Sequence, residues 1–124
     1  MRGTVKSKAE IDSLFKTGRR YKAHGLILIA SATPEQRGRY GRVAYIAGKK
    51  LGNAPARNRA KRLLRHAAAQ AGGPVPGVDM VFVAQSRLFG MDYSRIAVEC
   101  KMLRDKVLDD LEHFGKALDE ENER

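Results

Sequence analysis

Apolar positions along this chain recur with two periods, and the alternation between them divides it into seven elements. Ser7-Lys8-Ala9-Glu10 has the form of a capping box, with Ser7 at N-cap and Glu10 at N3. Ile11, Leu14 and Phe15 follow at helical spacing, and Gly18 is a natural stop. A short strand is predicted at 20–23, with a turn at His24-Gly25, and the apolar run at 26–32 (LILIASA) predicts a second. A charged loop at 33–41 leads to a third strand at 42–48 (RVAYIAG). Residues 49–55 read as a loop, with Pro55 where a first helical turn tolerates it, and a helix is expected over 56–71. Ala60, Leu63, Leu64, Ala67, Ala68 and Ala71 gather on one side of that helix. Gly72-Gly73-Pro74-Val75-Pro76-Gly77 ends it. Residues 79–85 (DMVFVAQ) read as a short buried strand. Asp92 then caps a long helix to about Phe114, with Ile96, Cys100, Leu103, Val107, Leu111 and Phe114 in its apolar stripe.

The order is therefore α-β-β-β-α-β-α, an α/β chain in which a two-layer α+β sandwich is built on one sheet. The third strand, the second helix and the fourth strand form a βαβ unit, so those strands can run parallel. With 124 residues and no internal repeat, the chain is expected to form a single domain over 1–118. The acidic stretch at 119–124 is expected to fray.

Charge changes the picture of the second helix. Arg57-Asn58-Arg59-Ala60-Lys61-Arg62-Leu63-Leu64-Arg65-His66 carries five fixed positive charges and no acid. At about 100° per residue, Arg57, Lys61 and Arg65 line one stripe, with Asn58 and Arg62 beside it. Like charges four residues apart destabilise an isolated helix by a few tenths of a kcal/mol, roughly, so the arrangement implies an external polyanion. The formal net charge is +10, and residues 1–66 hold 17 Lys/Arg against 3 Asp/Glu. Nucleic acid fits this face better than a membrane does, because the helix's apolar side is mostly Ala and offers no Trp or Phe to insert. No apolar run approaches the ~18–20 residues of a membrane span, and the start at Met1 leads into a polar helix, so a soluble cytoplasmic protein is expected. Cys100 is the single cysteine, which excludes an intramolecular disulfide and a cysteine-based zinc site.

Two neighbouring segments extend the basic surface. Lys49-Lys50-Leu51-Gly52-Asn53 places two lysines and a Gly-containing turn before a helix N-terminus, a possible phosphate cradle. Phe15-Lys16-Thr17-Gly18-Arg19-Arg20-Tyr21 interleaves aromatics with cations, the combination that holds single-stranded nucleic acid by stacking and phosphate pairing. Phe15 reads equally as a core residue, and Tyr21 as an ordinary strand residue. His24, His66 and His113 show no metal-ligand spacing, and Glu10, Asp12 and Asp79 form no paired-carboxylate motif. No catalytic residue and no metal ligand is expected in this chain.

Taken together, Lys49-Lys50-Leu51-Gly52-Asn53-Ala54-Pro55-Ala56-Arg57-Asn58-Arg59-Ala60-Lys61-Arg62-Leu63-Leu64-Arg65 closely resembles the signature of the bacterial ribonuclease P protein subunit. The resemblance extends over about residues 6–114. It implies the small α/β sandwich of a ribosomal-protein domain, with an uncommon left-handed βαβ crossover. It implies a large catalytic RNA as partner, which with Mg²⁺ hydrolyses the phosphodiester, and precursor tRNA as substrate. It assigns catalytic-RNA binding to Arg57, Asn58, Arg59, Lys61, Arg62 and Arg65; Lys49, Lys50 and Asn53, from the phosphate-cradle reading, complete the candidate RNA-binding set. It places the tRNA 5′ leader in a cleft between the first helix and the sheet, implicating Ile11, Phe15 and Lys16; Arg19 and Tyr21 complete that candidate set. No small-molecule substrate and no membrane partner is implied. A general RNA-binding or ribosomal protein, and an autonomous nuclease, are the alternatives.

Overall fold

A computed structural model describes residues 8–33 and 41–114. Ser7, most of the charged loop and the acidic tail, with the domain limit at 118, lie outside the described residues. The observed order is α1 (Lys8–Thr17), β1 (Arg19–Lys22), β2 (Leu26–Ala32), β3 (Val43–Ala47), α2 (Ala54–Gln70), β4 (Val78–Ala84) and α3 (Tyr93–Asp109). Two 3₁₀ turns, Lys49–Leu51 and Ser86–Gly90, precede α2 and α3. The seven elements and their order agree with the sequence reading.

The four strands form one sheet in the order β1-β2-β4-β3. β2 runs antiparallel to β1 and β4, and β3 runs parallel to β4. The parallel pair is the βαβ unit, with α2 as its crossover. β2 and β4 are internal and apolar on both faces, which is why their sequences are near-continuous hydrophobic runs. Leu26, Leu28 and Ala30 of β2, Met80, Phe82 and Ala84 of β4, and Val43 and Ala47 of β3 join Ala60, Leu64, Ala67 and Ala68 of α2 and Ile96, Cys100, Leu103 and Val107 of α3 in the main core. On the opposite face, Leu14 of α1 packs with Ile29, Ala44 and Val81, and Ile11 and Phe15 lie against that cluster. The sheet with α2 and α3 is the body of the sandwich, and α1 is seated on its other side.

Local chemistry explains the element ends. α2 starts two residues before position 56 because Asn53 is its N-cap: Oδ1 of Asn53 accepts from the Ala56 N–H at 3.0 Å. The helix ends in a Schellman turn, with Gly73 N–H donating to Ala68 O and Gly72 N–H to Ala69 O. Both glycines have positive φ, 130° and 73°, which a side chain would resist. Arg104 of α3 donates to the carbonyls of Gly72, Gly73 and Pro74 and holds this turn.

The last helix departs from expectation. α3 stops at Asp109, and a separate helical turn at 111–114 follows a break at Asp110. The carboxylate of Asp110 accepts from the Tyr21 hydroxyl at 2.7 Å and pairs with Arg19 Nε at 3.2 Å. The cross-link to β1 is made at the C-cap, where the helix breaks. The break shifts the periodicity, so Leu111 is exposed while Phe114 is buried. Asp92 begins α3 with its backbone carbonyl but makes no side-chain cap bond.

The strongest polar tie in the fold is buried. Arg42, just before β3, donates Nη2 to Asp79 Oδ2 of β4 and to Glu10 Oε2 of α1, both at 2.6 Å. Asp79 Oδ1 also accepts from Thr33 Oγ1 at 2.9 Å. These carboxylates hold the Arg42 guanidinium above its already high ordinary pKa, so it stays charged throughout.

Replacing Arg42 by Met would strand the Asp79 carboxylate, whose side chain is 4% exposed. The expected loss is about 3–5 kcal/mol in urea unfolding, against under about 1 kcal/mol for Arg19→Met at the exposed Asp110 pair. Equal small losses for both would show that water screens the Arg42 pair as well. A second expectation concerns Cys100, fully buried on α3, where burial pushes the thiol up to about 12. The thiol is neutral when folded, so this contribution to stability is complete below the ordinary thiol value and is lost as pH rises toward 12. At pH of about 8 a thiol reagent should label the native protein far more slowly than the unfolded chain; comparable rates would contradict the burial.

Candidate nucleic-acid interface

α2 reaches the sheet through small residues. Ala60, Leu64, Ala67 and Ala68 are buried, and Leu63 and Ala71 pack beside them. The opposite face exposes Asn58, Arg59, Arg62, Arg65 and His66. Arg57 and Lys61, expected to share a stripe with Arg65, are half-buried along one border of the apolar face. The cations therefore fan across more than half of the helix circumference. Among the described residues none of the five is in an ion pair.

Two of the exposed arginines rest on aromatic rings. The Arg65 guanidinium lies over the Tyr45 ring of β3 at 5.5 Å, and the Tyr45 ring stacks on Phe82 at 5.8 Å. The Arg59 guanidinium lies over the Phe89 ring at 5.7 Å, on the turn after β4. Burial holds the Tyr45 phenol above its usual value, against the opposing pull of Arg65. Among the described residues the buried Arg57 Nε has no hydrogen-bond partner.

Lys49 and Lys50 are exposed in the 3₁₀ turn between β3 and α2. The expected cradle of free helix amides is largely spent. Pro55 has no N–H, and Asn53 Oδ1 takes the Ala56 N–H. Asn53 thus serves the helix start, and anion attraction at this turn falls to the two ammonium groups and the helix dipole.

The other face of the sheet carries a second surface. By strand register, Lys22, Ile27, Val83 and Ile46 form one row across the four strands. The three aliphatic members are only half-buried. Phe15 and Ile11 of α1 border this face and are also half-buried, while Lys16 is exposed. Arg20 stands over the Phe15 ring at 5.7 Å and donates Nη2 to the Phe15 carbonyl at 3.0 Å.

Arg19 and Tyr21 do not belong to this surface. β1 alternates, so both point to the face away from α1, where they meet Asp110. Tyr21 is 8% exposed and part of the main core, and burial first, with the Asp110 hydrogen bond second, pushes its phenol above the ordinary range. Arg20, absent from the expected set, takes the place assigned to Arg19. The period-2 alternation carried the signal, with Tyr21 paired to buried Leu28 and Arg20 to Ile29.

Among the described residues no group of three His, Cys, Asp or Glu side chains is placed to hold a metal ion, and no helix is long and apolar enough to cross a membrane. The described acids that are buried, Asp79 and Glu99, are both hydrogen-bonded inside the fold.

Comparison with known proteins agrees with this arrangement. The family model described as Ribonuclease P matches residues 2–108. The chain is 34% identical over 104 residues to the ribonuclease P protein component of Nitratiruptor sp., covering 84% of this chain and 91% of that protein. It is 34% identical over 90 residues to the protein component of Streptococcus mutans, covering 73% of each. Among solved structures, a Staphylococcus aureus RNase P protein mutant superposes with a TM-score of 0.74 at 19% identity, covering 85% of this chain and 87% of that one. The Thermotoga maritima RNase P protein gives 0.70 at 20% identity, covering 84% and 97%. A sequence match over most of the chain and a shared fold together place this chain in the ribonuclease P protein family.

Proposed function

We propose that this chain is the non-catalytic protein subunit of ribonuclease P. In this reading it binds the catalytic RNA and the 5′ leader of precursor tRNA in the cytoplasm and supports endonucleolytic removal of the leader. The observation that carries the reading is the face of α2, where Arg59, Arg62 and Arg65 are exposed and, with Arg57 and Lys61, lack any acidic partner among the described residues. Cations grouped without acids cost free energy in the isolated protein, and a phosphate backbone relieves that cost.

α2 is assigned to the catalytic RNA. The row Lys22–Ile27–Val83–Ile46, with Ile11, Phe15, Lys16 and Arg20, is assigned to the leader. Half-buried apolar side chains edged by cations suit unstacked bases on a backbone, where ring faces take the bases and cations the phosphates. The hydrolysis is assigned to the RNA with Mg²⁺; this chain contributes charge neutralisation and leader affinity.

Single-turnover cleavage of precursor tRNA, with protein alone, RNA alone and both at low and high Mg²⁺, tests the assignment. Cleavage at low Mg²⁺ should require both components, and robust cleavage by RNA-free protein would overturn the subunit reading. Arg62→Ala should weaken catalytic-RNA binding and lower the salt slope by something under about one unit, with an unchanged melting temperature. On the other face, Phe15→Leu keeps an apolar side chain but removes the ring. It should lower affinity for precursor tRNA by roughly 1–3 kcal/mol and leave mature tRNA unaffected. Equal losses for the two RNAs would return Phe15 to a packing role.

A further inference from the structure

Two of the exposed arginines of α2 are not free in the way Arg62 is. Arg65 rests over Tyr45 and Arg59 over Phe89, with guanidinium-to-centroid distances of 5.5 and 5.7 Å. The two aromatics come from different parts of the chain. Tyr45 belongs to β3 and Phe89 to the 3₁₀ turn after β4, so they stand on opposite flanks of the helix. Both rings are anchored: Tyr45 is half-buried and stacks on core residue Phe82, and Phe89 packs against the main core. Among the described residues neither guanidinium has a hydrogen bond or an ion pair. Its in-plane N–H groups are therefore unspent, since stacking uses only the face of the plane.

We propose that Tyr45 and Phe89 are positioning residues for RNA binding: each holds one arginine of α2 against an aromatic face and presents its N–H edge outward. This rests on the assignment of α2 to RNA. A long side chain loses rotamer freedom when it grips a phosphate, and a side chain already seated on a rigid ring loses less. Arg59 and Arg65 thus form a preset pair on the two flanks of α2, with the exposed Arg62 between them. The cation count is unaffected by the rings, so they set affinity without setting the salt slope.

The test measures dissociation constants of the full chain for a transcribed ribonuclease P RNA across a range of KCl. Tyr45→Leu and Phe89→Leu should each weaken binding about two- to fivefold, the size of an exposed cation–π contact, at an unchanged salt slope. Each loss should vanish in the background of its own arginine, Arg65→Ala or Arg59→Ala, and persist in the background of Arg62→Ala. Tyr45→Phe, which keeps the ring, should restore binding. Wild-type affinity in both leucine variants, or losses that add fully to Arg65→Ala and Arg59→Ala, would overturn the positioning role. If all three arginine variants bind like wild type, the assignment of α2 to RNA fails, and the positioning role fails with it. Losses in the arginine variants with silent aromatic variants would sink the positioning role alone. A measurement on the free wild-type protein guards against variants that do not fold. The δ-methylene protons of Arg59 and Arg65 should show upfield ring-current shifts in NMR that Arg62 lacks, and equal shifts for all three would overturn the proposal.

Discussion

The buried pairing of Arg42 with Asp79 and Glu10 is the constraint on which the rest of the structure depends. Asp79 sits in an internal strand at 3% exposure, where a carboxylate is tolerated only if it is paired and hydrogen-bonded. Arg42 supplies the pairing and Thr33 a further hydrogen bond. One carboxylate thereby gathers the end of β2, the start of β3 and the centre of the sheet. The same guanidinium reaches Glu10 and fixes where α1 lies on the sheet. α1 packs through few side chains, Leu14 foremost, so apolar contact alone leaves its placement loosely specified. A directional ion pair specifies it, and with it the width of the surface between α1 and the row Lys22–Ile27–Val83–Ile46.

Several acids of the described chain are turned to structural use away from α2. Glu99, buried at 2%, accepts from the Gly25 N–H at 2.9 Å and ties the β1–β2 turn to α3. Asp110 binds Tyr21 and Arg19 and closes the far end of the same helix on β1. None of these acids meets α2. Among the described residues its positive charge is therefore not paired, and attraction of a polyanion follows from the placement of these acids as well as from the number of cations.

The ribonuclease P family membership gives this charge separation a purpose. α2 lies on one face of the sheet and α1 on the other, and the exposed lysines of the turn before α2 stand at the sheet end between them in the chain. The proposed RNA partner on one face and the proposed single-stranded leader on the other call for different chemistry. The first surface is rich in guanidinium edges; the second has half-buried aliphatics and Phe15 under Arg20.

Much of this was legible in the residues alone. Periodicity located the helices and apolar runs bounded by turn residues located the strands, because an amphipathic stripe and a two-faced buried run are both local patterns that do not depend on neighbours. The run from Lys49 to Arg65 marked out the cationic helix for the same reason: five cations without an acid on one helix are a local property. What sequence could not settle was every feature that depends on a partner distant in the chain. Arg19 and Arg20 are adjacent and chemically alike, yet strand register sends one to Asp110 and the other to Phe15. Tyr21 looked available for stacking until its pairing with Leu28 put it in the core. The helix expected to run straight to Phe114 breaks at Asp110, whose bonded partners come from β1, 89 positions away for Tyr21. Tyr45 and Phe89 carried no signal as neighbours of Arg65 and Arg59. Local periods determine which residues form an element and which face is apolar. The packing of distant elements decides which polar side chains meet, since those contacts depend on register and crossing geometry that no short window of sequence contains.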